Sequence, residues 1–135
     1  MEFVITGGRG FIGSHFVEKA LAEGHSIVDI DKLGYASNAS LPWDDHPNYK
    51  FIKKDISEVK HLPSCDVLVN FAAESHVDNS INDTDPFIKS NILGVHNLLE
   101  LVRGKPAYER PLFFHISTDE VYGDILEGEF GEEDK

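Results

Sequence analysis

The chain has one cysteine, Cys65, among its 135 residues, so no disulfide can close within it, and the thiol is expected to be inert and partly buried. Cations are scarce too: 12 Lys and Arg stand against 24 Asp and Glu, a formal net charge of −12. That balance repels phosphate backbones and anionic bilayers, which argues against nucleic acid or a membrane as partner. No apolar run approaches the length of a bilayer span, and the N-terminus opens on a strand pattern rather than on a basic and then apolar leader. Together these absences imply a soluble, cytoplasmic protein. His15, His25, His46, His61, His76, His96 and His115 show no spacing that gathers three around an ion, so no metal site is expected. The hydrophobic content of 41% is slightly lean for one domain of this length, and implies that part of the natural core lies outside these residues.

With so little positive charge, any phosphate held here must be held by backbone and helix dipole. The stretch Thr6-Gly7-Gly8-Arg9-Gly10-Phe11-Ile12-Gly13 is built for that, because it joins a short apolar strand, Phe3-Val4-Ile5, to an amphipathic helix. Gly7 permits the tight turn, Gly10 lets the backbone approach a pyrophosphate, and Gly13 lets the helix pack closely on the strand. An ordinary glycine-rich turn would not also need an acidic residue roughly 20 positions on. Asp31 meets that need, closing the strand Ile27-Val28-Asp29-Ile30. A carboxylate there accepts hydrogen bonds from ribose hydroxyls and repels a 2′-phosphate, so the cofactor is expected to be NAD rather than NADP.

The first helix is expected from about Phe11 to Glu23, with Ile12, Phe16, Ala20 and Leu21 on its core face and Gly24 as its stop. Residues 32–49 lack apolar periodicity and read as a loop over the adenine end of the cofactor. Within it, Trp43 has two readings, an adenine cover or a loop anchor on the core. Phe51-Ile52 forms a short third strand. A turn or two of helix in 56–64 leads to the fourth strand, Val67–Ala72, whose unbroken apolar character predicts burial on both faces. Asp85 as N-cap, Pro86 at the first helical position and Gly104 past the end frame the next helix. Its stripe Ile88, Ile92, Val95, Leu99, Val102 predicts one buried face, and Leu98 with Leu101 widens the apolar surface toward a partner subunit. Leu112–Ile116 is the fifth strand. The alternation gives an α/β, doubly wound parallel sheet, Rossmann-like, in the order 3-2-1-4-5. Residues 1–123 make the nucleotide-binding unit, and 124–135 read as a frayed acidic tail.

The polar clusters fall at the C-terminal ends of the strands, where open α/β sheets bind ligands. They are Gly7–Gly13, then Asp31 and Lys32, then Asp55 and Ile56, then Ala72-Ala73-Glu74-Ser75-His76, and finally Ser117-Thr118-Asp119-Glu120. Gly7, Gly10, Phe11, Ile12, Gly13, Asp31, Lys32, Asp55, Ile56, Ala72, Ala73 and Glu74 are thus the candidate cofactor-binding residues. Ala72 and Ala73 are small enough for a cofactor to lie on their backbone. Asp119 and Glu120 would point to opposite sides of a continued strand, so a bend is needed for both to serve one substrate.

Thr6–Ser14, Asp31-Lys-Leu-Gly-Tyr35, Phe71-Ala-Ala-Glu-Ser-His-Val-Asp78, Ser90-Asn91 and His115-Ile-Ser-Thr-Asp-Glu-Val-Tyr-Gly123 together carry a resemblance. From Phe3 to about Gly123 the chain resembles the N-terminal part of extended short-chain dehydrogenases/reductases, specifically nucleotide-sugar 4,6-dehydratases of the dTDP-glucose type. The resemblance implies bound NAD, a nucleotide-diphosphate sugar substrate, and a homodimer paired through the helix from about Pro86 to Arg103. It also implies oxidation at C4, loss of water across C5 and C6, and return of the hydride to C6. Asp119 is then the acid for the C6 hydroxyl, Glu120 the base for the C5 proton, and Thr118 the hydrogen-bonding partner of the C4 oxygen. The family's Tyr-x-x-x-Lys pair has no counterpart on a helix here. Tyr49 and Lys53 have the spacing but lie on the third strand, a coincidence. Asn79 stands where dTDP-glucose enzymes usually carry arginine, similar to UDP-glucose dehydratases, which leaves the base open. Two functions follow: the NAD-binding portion of a dehydratase, inactive alone, or a free-standing NAD-binding or regulatory module without catalysis.

Overall fold

A computed structural model describes residues 1–134, with the side chain of Asp119 outside the described set. Five parallel strands form one sheet: β1 (Glu2–Thr6), β2 (Ser26–Asp31), β3 (Tyr49–Lys53), β4 (Val67–Asn70) and β5 (Leu112–His115). Their order is β3-β2-β1-β4-β5, as the alternation of strands and helices predicts. Register places Ile5 opposite Asp29 and Val69, and Asn70 opposite His115. β4 is buried along its whole length, the signature of a strand covered on both faces.

Each face has its own apolar layer. α1 (Phe11–Ala22) lays Val17, Ala20 and Leu21 on Ile5, Ile27, Val67 and Val69. Ile12, expected in that face, is 63% exposed, and Val17 is fully buried instead, because the glycine turn rotates the helix so that Gly13 and Val17 face the sheet. Gly24, at φ +82°, ends the helix as expected. The opposite layer joins Val4, Ile30 and Leu68 to Ile56, Val59, Leu62 and Leu98.

Leu98 belongs to a long helical rod. After a short helix α2 (Val77–Asn82), α3 (Asp85–Phe87) passes through a π-helical stretch (Ile88–Gly94) into α4 (Val95–Arg103), with helical dihedrals at both junctions. Asp85 is the first helical residue rather than the cap, which is Thr84. The expected faces are reversed for Ile88, Ile92, Leu98 and Leu99, while Val102 stays on the core side as expected. Leu98 is fully buried, with Leu101 and Val102 packed beside it, whereas Ile88, Ile92 and Leu99 point away from the sheet at 47%, 61% and 45% exposure. The buried face runs instead through Ser90, Gly94 and Leu98, four residues apart, along the π stretch and into α4. Gly94 itself sits against Ile56, whose side chain a Cβ would meet at 2.5 Å.

Trp43 packs on the α1-side core and is absent from the cleft described below, so the anchor reading holds and the adenine-cover reading does not. The loop after β2 ends at Asn48, since Tyr49 already pairs with Ile27. Tyr49 is buried and donates its hydroxyl proton to Asp29 Oδ2 at 2.7 Å, so its spacing from Lys53 has no catalytic meaning. Cys65 is half-buried, and burial raises its thiol pKa, which suits an inert side chain. Among the described residues no helix is long and apolar enough to cross a membrane, and no group of three or more His, Cys, Asp or Glu could hold a metal ion.

Candidate functional site

Gly7 leaves β1 at φ +73°, which turns the chain against the β4 exit. A Cβ at Gly7 would lie 2.7 Å from the Ala72 nitrogen, so only glycine allows the two segments to meet. Gly13 is as tightly constrained, 2.2 Å from the Gly7 carbonyl oxygen if it carried a Cβ. The close approach it permits is therefore of helix to turn, rather than of helix to strand. Gly10 precedes α1 with extended dihedrals and no capping side chain. The first N–H groups of α1, at Phe11, Ile12 and Gly13, thus await an acceptor from outside the helix.

Beside this turn a cleft, partly open to solvent, runs along the C-terminal ends of the strands. Gly7, Gly10, Asp31, Lys32, Asp55, Ile56, Ala72, Ala73 and Glu74 all line it. Phe11, Ile12 and Gly13 do not; Phe11 and Ile12 project outward from the first turn of α1. Gly34, Tyr35, Ala36, Ser37, Lys54 and Ser90 also line the cleft; Gly34, Tyr35 and Ser90 belong to the motifs that carry the resemblance, while Ala36, Ser37 and Lys54 were not expected at the site. Ala36 and Ser37 sit in a loop without periodicity, so only their closeness to Asp31 in sequence could have flagged them.

Asp31 is buried, yet its carboxylate has capacity to spare. Oδ1 accepts from the Leu33 N–H at 2.7 Å and the Ser37 hydroxyl at 2.9 Å, while Oδ2 accepts only the Arg9 N–H at 3.2 Å. A carboxylate has about four lone-pair sites, so one remains for a ligand hydroxyl. Across the cleft Lys32 donates to Glu74 at 2.5 Å and to Ser90 Oγ at 3.1 Å. Asn91 fixes the Glu74 backbone at both ends, accepting its N–H and donating to its carbonyl, each at 2.8 Å. The π stretch thereby brings Ser90 and Asn91 to opposite tasks on one wall. Asp55 caps the following 3-10 turn through Ser57. Burial works to raise its pKa, but the Ser57 hydroxyl and N–H and the Lys89 ammonium outweigh it and hold the carboxyl below its ordinary value.

Behind Asp31 lies a buried polar cluster that no sequence pattern anticipates. Asp29, fully buried, accepts the Gly8 N–H at 3.0 Å and the Tyr49 hydroxyl at 2.7 Å. Burial pushes its pKa up to about 6; Tyr49 opposes this, and the Asp31 charge adds to it. Gly8 is obligatory because a Cβ would strike the Asp29 carboxylate at 2.4 Å. Arg9 is 3% exposed, lies over the Phe51 ring at 3.9 Å, and pairs with Asp44. An acidic residue within an apolar parallel strand was the one signal that could have pointed to Asp29.

Thr118 and Glu120 are not among the residues that line the cleft. Thr118 is exposed, past the end of β5, and Asp119 and Glu120 begin a 3-10 turn (Asp119–Tyr122), so the backbone bends at the two adjacent acidic residues. The Asp119 side chain lies outside the described residues. Asn79 donates to the Tyr35 hydroxyl at 3.0 Å, at the mouth of the cleft.

A sequence profile described as GDP-mannose 4,6 dehydratase matches residues 4–135. The chain belongs to the GDP-mannose 4,6 dehydratase family. Similar proteins include the low-salt glycan biosynthesis protein Agl12 of Haloferax volcanii, 42% identical over 99% of this chain and 44% of that one. The trifunctional UDP-glucose 4,6-dehydratase RHM1 of Arabidopsis thaliana is also 42% identical, over 93% of this chain and 20% of its own length. Among solved structures, the dTDP-glucose 4,6-dehydratase DesIV of Streptomyces venezuelae, with NAD and TYD bound, matches at a TM-score of 0.86 and 37% identity. That match covers 100% of this chain and 45% of DesIV. The chain thus spans less than half the length of these relatives.

Proposed function

We propose that these residues form the NAD-binding part of a nucleotide-sugar 4,6-dehydratase, with dTDP-glucose or UDP-glucose as the substrate of the whole enzyme. The observation that carries the reading is the cleft itself: Gly7 and Gly10 line it, Gly7 and Gly13 hold the turn so tightly that a Cβ on either would strike backbone, and Asp31 keeps an acceptor site free beside them. The residues present therefore fit the cofactor. Gly7, Gly10 and the α1 N–H groups at Phe11, Ile12 and Gly13 hold the pyrophosphate, the N–H groups at first-turn positions serving even though the side chains of Phe11 and Ile12 face outward. Asp31 binds the adenosine ribose, Lys32, Asp55 and Ile56 border the adenine, and Ala72, Ala73 and Glu74 support the cofactor toward its reactive end. When bound, NAD supplies the hydride acceptor and donor that the sugar chemistry needs.

On the same reading Thr118 hydrogen-bonds the sugar C4 oxygen, Asp119 protonates the departing C6 hydroxyl and Glu120 removes the C5 proton. Support comes from the turn that carries them, at the end of a strand paired directly with β4. A homodimer formed through Ile88, Ile92 and Leu99 fits their exposure, and a cytoplasmic setting fits the single thiol. Titration with ADP-ribose and with nicotinamide mononucleotide tests the cofactor reading. ADP-ribose should retain most of the affinity for NAD, and an affinity carried by the mononucleotide would reverse it. Turnover of dTDP-glucose or UDP-glucose by this chain alone is expected to be absent, since the hydride step has no Tyr-x-x-x-Lys pair on a helix here; a 4-keto-6-deoxy product at an enzyme-like rate contradicts that.

A further inference from the structure

Arg9 lies directly behind the ribose-recognising carboxylate, its own N–H donating to Asp31 Oδ2 at 3.2 Å. In dinucleotide sites of this architecture an arginine near the acidic residue is what accommodates a 2′-phosphate. Here the cation is present but withheld. Its guanidinium pairs with the Asp44 carboxylate, donates to the Ala39 carbonyl at 3.0 Å and the Asn38 carbonyl at 3.4 Å, and lies on the Phe51 ring. The confinement is incomplete: Arg9 Nε is buried with no hydrogen-bond partner among the described residues, so one donor of the group is still unused. Burial works to raise the Asp44 pKa, but the Leu41 N–H and Arg9 outweigh it, so the carboxylate stays charged at neutral pH.

We propose that Asp44 is a specificity-determining residue for the dinucleotide: by holding the Arg9 guanidinium it keeps from the ribose pocket a nearby cation that could pair with a 2′-phosphate. This rests on the NAD-binding reading above. Discrimination against NADP then has two parts, repulsion by Asp31 and neutralisation of Arg9 by a residue in the loop between β2 and β3.

Calorimetric titration of NAD and NADP into the protein, Asp44→Asn, Asp44→Glu and Asp44→Asn combined with Arg9→Met decides the matter. In Asp44→Asn the side-chain carbonyl can still accept the Leu41 N–H, so the loop keeps that contact while the ion pair is lost. Asp44→Asn should strengthen NADP binding roughly tenfold, the scale of one charge-assisted hydrogen bond, with NAD affinity little changed. Asp44→Glu should retain the discrimination of the unaltered protein, and Arg9→Met should erase the gain of Asp44→Asn. The proposal is overturned if Asp44→Asn leaves NADP affinity unchanged, weakens both ligands in parallel, or keeps its gain without Arg9. Arg9→Met alone offers a further check if Asp44→Asn does not fold: the NAD to NADP ratio should stay as in the unaltered protein, and a fall in NADP affinity alone would show that the cation is not withheld. Failure of the unaltered protein to bind either dinucleotide removes the cofactor reading and this inference with it, whereas NAD binding without the variant's gain removes only the inference.

Discussion

Replacing Asp29 by asparagine isolates the energetic cost of a buried carboxylate beneath the glycine turn. Asp29 is fully buried, with its pKa raised from an ordinary 3.8 to about 6. Because the folded chain holds the proton more tightly than the unfolded one, this group's contribution is favourable in acid and is lost as pH rises from about 4 through about 6. The difference between the two pKa values corresponds to about 3 kcal/mol. The substituted amide can keep both contacts, its carbonyl accepting the Gly8 N–H and its NH₂ donating to the Tyr49 hydroxyl. Urea denaturation followed by the fluorescence of Trp43, which packs on the same core, gives the comparison. Below about pH 3, under both pKa values, the two proteins should have the same stability, and above pH 6.5 Asp29→Asn should be the more stable by up to about 3 kcal/mol. Asp44 and Asp55, held below their ordinary values, weaken the fold as pH falls through those values, but they do so equally in both proteins and cancel in the difference. A variant less stable than the parent at neutral pH, or a difference independent of pH, refutes the reasoning.

Three further outcomes are expected. Gly13→Ala would place a Cβ 2.2 Å from the Gly7 carbonyl oxygen; it should cost about 1–3 kcal/mol and weaken NAD binding by about tenfold or more, as the displaced turn no longer presents its N–H groups, and calorimetry with both dinucleotides checks it. Leu98→Ala should cost about 2–5 kcal/mol in urea denaturation, because the side chain is fully buried between the rod and the sheet. Ile92→Glu, on the outward face, should leave stability nearly unchanged while halving the mass seen by light scattering; a monomeric parent protein would defeat the dimer proposal.

The sheet was legible because burial on two faces writes itself as apolar runs: Val67-Leu68-Val69 could belong to no exposed strand, and Gly7, Gly13 and Gly24 mark turns whose sterics are local. Helix faces were not. The stripe of Ile88, Ile92 and Leu99 is apolar yet faces away from the sheet, whereas the buried face carries Ser90 and Gly94 beside Leu98, so the sequence pattern puts Leu98 outward and Ile92 inward, the reverse of their places in the fold. The Asp29, Tyr49 and Gly8 contacts and the Arg9 to Asp44 pair join residues from different elements. No periodicity within one element can reveal such a pairing, and the same holds for Ser90, brought to Lys32 from the far side of the sheet order.

The claim on which the account depends most is that Asp31 and the glycine turn together select NAD. Titration of NAD and NADP into the unaltered protein and into Asp31→Ser measures it directly. NAD should bind more tightly than NADP to the unaltered protein, and Asp31→Ser should narrow that preference as the free acceptor site and the negative charge are both lost. Equal or tighter binding of NADP to the unaltered protein would contradict the account.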